Sequence, residues 1–144
     1  MTRNAEGVLE ETLIAFRVPS FKPCRSQRRV SQQDRFVFFD LGVRNALLGI
    51  HQSVLTPSEK GRLFKQWFLL QCLFYIRAHK KSWSVSSFRT DTGLEVDVVI
   101  DLGSKILAIE CKPGTHVSEG RFSGFRALAE MSRKPVSKFL VYHG

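Results

Sequence analysis

The stretch that decides the fold reads EVDVVID at 95–101, LGS at 102–104 and KILAIECK at 105–112. Gly103-Ser104 suits a two-residue hairpin turn, with glycine at the first central position. Leu102 then pairs with Lys105, and the register follows residue by residue. Ile100 falls opposite Leu107, Val98 opposite Ile109, Asp97 opposite Glu110 and Glu95 opposite Lys112. Strict alternation puts Val96, Val98, Ile100, Leu107, Ile109 and Cys111 on one apolar face. The other face carries Val99 and Ala108, then Asp97 and Glu110, then Glu95 and Lys112.

Directly opposed side chains in such a hairpin have Cβ atoms about 5 Å apart. Two carboxylates at that distance repel by about 3 kcal/mol at an effective dielectric near 20. A divalent cation, a shared proton or a nearby cation must compensate. Lys112 lies two residues beyond Glu110 and so on the same face of its strand. An Asp facing a Glu-x-Lys is the pattern of a magnesium site with a lysine beside it. Such a site binds a scissile phosphate, orients a water and stabilises developing charge.

Outward from the hairpin, Trp83–Thr90 reads as a strand, joined to it by the turn Asp91-Thr92-Gly93. Upstream, Thr56-Pro57-Ser58-Glu59 is a capping box with proline at the first helical position. The helix it opens is expected to run to about Arg77. Its apolar residues cover most of the circumference, which predicts burial on more than one side, Trp67 included. Trp83 is also expected in the core. Downstream, Glu119–Met131 reads as a second helix and Ser137–Tyr142 as a last strand. Residues 56–144 thus give helix, three strands, helix, strand. Residues 1–55 read as an extension packing on that core. It comprises a short helix around Val8–Ile14, an extended Ala15–Val18, a basic loop, a buried strand at Phe36–Phe39 and a short helix capped by Asp40.

The chain has 144 residues, 22 of them Lys or Arg against 13 Asp or Glu, for a net charge of +9. That excess points to a polyanionic partner, nucleic acid above all. The longest strongly apolar stretch, Trp67–Ile76, is about half of the ~20 residues a membrane-spanning helix needs. Glu6, Glu10 and Glu11 stand where a secretory signal would need an apolar core. Cys24, Cys72 and Cys111 form no CxxC pair, and the four His show no ligand spacing. No phosphate-binding GxxxxGK[ST] loop is present, and no GxGxxG follows a strand. A reduced, soluble, cytoplasmic protein with no membrane partner is expected.

Asp97 followed by Glu110-Cys111-Lys112, within an αβββαβ order, resembles the PD-(D/E)XK nuclease fold. The likeness is closer to one branch. FVFFDLGVRNALLG (36–49), GRLFKQW (61–67), FRTDTGLEVDVVI (88–100), AIECK (108–112) and FRALAE (125–130) resemble the domain of unknown function at the C-terminus of many prokaryotic AAA-type ATPases. The resemblance implies an α/β, restriction-endonuclease-like fold, a mixed sheet flanked by helices. It implies that Asp97 and Glu110 would bind magnesium and that Lys112 would support the attacking water in cleavage of DNA. It also makes an ATPase a natural partner.

One position departs from the family pattern. The family's helix motif ends in Leu-Phe-Glu, whose Glu completes the acidic site, and the matching residue here is Lys65. Lys65 shares a helix face with Leu69, Cys72 and Ile76 and needs an acidic partner there. Asp97 and Glu110 are the natural candidates, with Glu95 as a further modifier of the site. Two readings therefore stand side by side: a magnesium-dependent DNA endonuclease, and a degenerate module that binds nucleic acid or an ATPase without cutting. Arg25, Arg28 and Arg29 in the basic loop, with Lys80 and Lys81 beyond the long helix, are the candidate nucleic-acid contacts.

Overall fold

A computed structural model describes residues 5–22, 30–50, 54–112, 114 and 122–142. A short helix, α1, Ala5–Glu11, opens the chain and leads into a two-stranded antiparallel ribbon of β1, Ala15–Val18, and β2, Arg35–Phe38. Phe16, Val18 and Val37 of this ribbon enter the core of the molecule. Only Val37 of β2 is buried, so this strand is half-covered and not the buried strand expected. The helix α2, Leu41–Leu47, begins at Asp40, whose carboxylate accepts the Val43 N–H.

The longest element is α3, Pro57–Ala78. Thr56 accepts a hydrogen bond from the Glu59 N–H, and the Glu59 carboxylate accepts the Thr56 N–H, so the capping box forms as its sequence predicts. The helix closes with the Lys81 N–H donating to the Ile76 carbonyl and Lys80 in the left-handed region, φ 48°. Gly61, Phe64, Leu69, Leu70 and Ile76 are buried. The expectation of burial all round fails on the outer side, where Trp67, Phe74 and Tyr75 are exposed. Trp83 is only half-buried. Among the described residues, no helix is long and apolar enough to cross a membrane.

Four strands form the main sheet: β3, Ser84–Arg89; β4, Glu95–Asp101; β5, Ile106–Lys112; and β6, Val136–Tyr142. They lie in the order β3-β4-β5-β6, antiparallel except for the parallel pair β5 and β6. The parallel pair needs a crossover, and α4, Ser123–Met131, lies within it. The sequence places the start of this helix at Glu119, which lies outside the described residues. The sheet is covered on both faces. Leu69, Leu70 and Ile76 of α3 join Val85, Val98, Ile100 and Ile109 on one side, together with the ribbon residues. Phe125, Ala127, Leu128 and Met131 of α4 join Phe88, Val96, Val99, Ile106 and Ala108 on the other. The architecture is α/β, a mixed sheet flanked by helices.

Two local features shape the middle of β4. The β3–β4 pairing slips between Ser86↔Val99 and Phe88↔Val96, so two residues of β4, Asp97 and Val98, oppose the single residue Ser87. Val96 and Val99 consequently share the α4-side cluster, whereas strict alternation would separate them. Close by, α4 approaches the strand at Gly124. A Cβ there would stand 2.1 Å from the Glu95 carbonyl oxygen, so only glycine allows this approach.

Candidate functional site

The hairpin adopts the expected register over the residues that pair. Asp101↔Ile106, Ile100↔Leu107, Val99↔Ala108 and Val98↔Ile109 are partners, and the Leu102 N–H donates to the Lys105 carbonyl across the turn. Beyond Val98 and Ile109 the pairing changes character. The Asp97 carboxylate itself takes up the Cys111 N–H at 2.9 Å through Oδ2. Its other oxygen, Oδ1, accepts from Lys65 Nζ at 2.7 Å.

Asp97 is 3% exposed. The bulge turns it out of the alternation with Val99 and lets it meet α3, one turn before Leu69 on the lysine's own helix face. Glu110 follows the regular order of β5. It falls with Ile106 and Ala108, and its β6 neighbour Leu140 packs against the α4-side cluster. The shared face expected for Val99, Asp97 and Glu110 is thus corrected by one inserted residue: Asp97 turns to Lys65 of α3, and Glu110 keeps the order of Ile106 and Ala108. Glu110 is buried and accepts from Lys112 Nζ at 2.5 Å. Glu95 sits at the rim, 3.7 Å from Lys65 Nζ and 4.0 Å from an Arg35 guanidinium nitrogen.

These contacts set the electrostatics. Burial alone would lower the Lys65 pKa, but the hydrogen bond and charge of Asp97, with Glu95 and Glu110 behind it, raise it above its ordinary value. Burial raises the Glu110 pKa, Asp97 adds to the rise, and Lys112 offsets part of it. The two carboxylates therefore feel one another, although the pairing expected to oppose them stops at Val98 and Ile109, while each holds its own lysine. Burial pushes the Cys72 thiol up to about 11 and the Cys111 thiol up to about 12, so neither supplies a thiolate nucleophile at neutral pH.

A family model matches residues 60–144, more than half of the chain. The chain belongs to the family described as Domain of unknown function (DUF4143). No curated protein and no solved structure matches it. The DUF4143 match takes in Lys65, Glu95, Asp97, Glu110 and Lys112 and leaves β1, β2 and α2 outside.

The fold resemblance implies a magnesium ion at this DUF4143 site. Magnesium asks for oxygens at about 2.0–2.1 Å in octahedral array, most of them free to face the ion. Here Lys65 and the Cys111 N–H take both oxygens of Asp97, and Lys112 takes Oε1 of Glu110. Among the described residues, no group of three or more His, Cys, Asp or Glu is arranged to hold a metal. The residues present do not fit the ion. The cavity beside Asp97, about 170 Å³, is lined by Arg35, Arg62, Lys65 and Gln66 among others. Its charged lining is three cations against one carboxylate, which attracts an anion and not a metal.

The other residues singled out by the sequence divide. Arg25, Arg28 and Arg29 lie outside the described residues, as does His116. Lys80 and Lys81 are exposed just past the end of α3. They stand about 20 Å from Lys65 along the helix, at 1.5 Å per residue. Two participants have no signal in the sequence. Arg35 reaches Glu95 from β2, which only tertiary packing reveals. The Cys111 N–H is backbone, and only the end of strand pairing frees it for Asp97.

Proposed function

We propose that this DUF4143 chain is a degenerate nuclease-fold module that binds nucleic acid without cutting it. The observation that carries the proposal is Lys65 Nζ at 2.7 Å from Asp97 Oδ1. In the PD-(D/E)XK pattern that carboxylate would bind the cation that activates water and steadies the leaving phosphate. Here an ammonium takes the position. It neutralises the aspartate but offers no open coordination site, and it cannot generate a hydroxide. The net charge of +9 supports a nucleic-acid partner. The competing reading, a magnesium-dependent DNA endonuclease, draws on the Asp97, Glu110 and Lys112 set, whose residue types are all present and whose carboxylates are buried.

The deciding experiment is a calorimetric titration with magnesium and manganese, paired with incubation of plasmid and linear duplex. Wild type is expected to bind neither ion and to leave the DNA whole. Lys65→Glu exchanges a cation for a third carboxylate, and it is expected to gain metal affinity that Asp97→Ala removes again. Metal-dependent cleavage by wild type, abolished by Asp97→Ala, would overturn the proposal.

A further inference from the structure

We propose that the end of α3 and the residues leading into β3 form a platform for single-stranded nucleic acid. One base is taken up against Tyr75 and Trp83, and backbone phosphates are held by Lys80 and Lys81. The inference rests on the nucleic-acid reading above and adds to it a location and a strand type.

The aromatic part is already organised. Tyr75 is 51% exposed, on the outer side of α3 with Trp67 and Phe74. It stacks on His79 at 4.2 Å between ring centroids. Trp83 lies nearly parallel to Tyr75, with 6.4 Å between centroids and 25° between planes. Both rings line an apolar groove of about 520 Å³ floored by Cys72, Ile76 and Ile100. A nucleobase is a flat, largely apolar group that gains stability by stacking on such rings. A duplex keeps its bases stacked inside and has no free face to offer, whereas a single strand does.

The segment that carries the rings is basic, and the nearby carboxylate, Asp101 opposite Ser84, is held by Lys134. From Gln71 to Ser84 the chain carries Arg77, Lys80 and Lys81 and no acidic residue. Lys81 Nζ lies over the Trp83 ring, 5.5 Å from its centre, so a cation borders the rings. Lys80 holds a positive φ of 48°, a conformation that glycine adopts at lower cost. The turn it makes needs only backbone, through the Lys80 N–H to Arg77 and the Lys81 N–H to Ile76. The fold would be served better by glycine there, so the lysine side chain contributes charge at a conformational cost. An acidic polypeptide would also match the lysines, but it would make no use of two accessible, nearly parallel rings.

The test uses the full chain and fluorescence anisotropy of a labelled oligothymidylate, with a blunt duplex of equal length as comparison. Wild type is expected to prefer the single strand. Tyr75→Ala removes one stacking face and is expected to weaken binding by roughly five- to a hundredfold, while Tyr75→Phe keeps it. Lys80→Gly is expected to weaken binding and to flatten the salt dependence by about 0.7 in slope, yet to raise the melting temperature. Oligothymidylate binding indifferent to Tyr75→Ala, or displaced by polyglutamate as well as by unlabelled oligothymidylate, would overturn the platform. Duplex binding without single-strand preference would overturn it too, leaving the nucleic-acid reading in place. No binding to either form would bring down both.

Discussion

Asp97 and Asp101 lie on the same strand, β4, and each binds a lysine brought from far along the chain. Lys65 Nζ stands 2.7 Å from Asp97, and Lys134 Nζ stands 2.6 Å from Asp101. Both pairs lock β4 to a neighbouring element, Lys65 from α3 and Lys134 from the loop before β6. Their surroundings differ sharply. Asp97 is 3% exposed, whereas the Asp101 side chain is 30% exposed and Lys134 38%. At Asp101 water competes for both partners, so the pair is a surface fastening. At Asp97 water is excluded from the carboxylate, and losing the lysine leaves a charge with too few partners. Contact distance ranks the two pairs as equals, but burial separates them. Only the buried one stands where the PD-(D/E)XK resemblance implies a metal.

The largest expected effect breaks the inner pair. Lys65→Met keeps most of the length of the side chain and removes the charge, leaving Asp97 with the Cys111 N–H alone. The expected loss in urea unfolding free energy is about 2–4 kcal/mol, near the low end for stranding a buried ion, because Lys65 itself is partly exposed. The bulge should make room for an incoming cation once the ammonium is gone, so magnesium is expected to restore part of the lost stability. A loss under about 0.5 kcal/mol would mean that Asp97 is solvated as well as Asp101 is.

The legibility of this site follows the same division. The apolar periodicity, the capping box and the Gly103-Ser104 turn are local signals, and they anticipate α3, β3 to β6 and the pairing of Val98 with Ile109. The need of Lys65 for an acidic partner is equally legible, because a lysine on the Leu69–Ile76 face is not freely solvated. The position of Asp97 relative to Val99 is not. The inserted residue depends on pairing with β3 around Ser87, and the run Val98-Val99-Ile100 is apolar on both sides, so alternation carries no signal there. The exposure of Trp67 and Tyr75 escapes the sequence for a related reason. Residue type reports what a side chain tolerates, and the width of the partner surface decides whether it is covered.

Acid titration sharpens the comparison, because the two ends of the hairpin respond with opposite sign. Glu110 has a pKa raised above 4.5, so the folded state binds its proton more tightly than the unfolded chain does. Stability from this group is expected to fall as pH rises from 4.5 through the folded value, and to recover on acidification. Asp101 behaves the other way. Burial raises its pKa, but the Lys134 ammonium and the Gly103 N–H together outweigh it and lower the pKa below 3.8. Its contribution is present above 3.8 and is lost as pH falls through the folded value. Urea midpoints across this range should lose the downward limb in Glu110→Gln and the acid limb in Asp101→Asn. If Glu110→Gln leaves the profile above 4.5 unchanged, the inner carboxylates do not feel one another.

The smallest effect is expected at the outer pair. Lys134→Met removes the partner of a carboxylate that keeps the Gly103 N–H at 2.8 Å and ready access to water. Two opposing contributions nearly cancel there. The attraction is weakened by solvent, and fixing the lysine side chain costs rotamer freedom that the variant recovers. The expected change is below about 1 kcal/mol, and most of it should vanish in about 1 M salt, where the screening length shrinks to about 3 Å. The inner pair provides the control, since salt reaches Asp97 poorly and the Lys65→Met loss should persist at the same ionic strength. If Lys134→Met instead costs as much as Lys65→Met, and salt does not reduce it, then the turn end of β4 is as dry as the site end. The distinction drawn between a fastening and a site would then rest on geometry alone, and the lysine at Asp97 would lose its claim to be anything more than a second fastening.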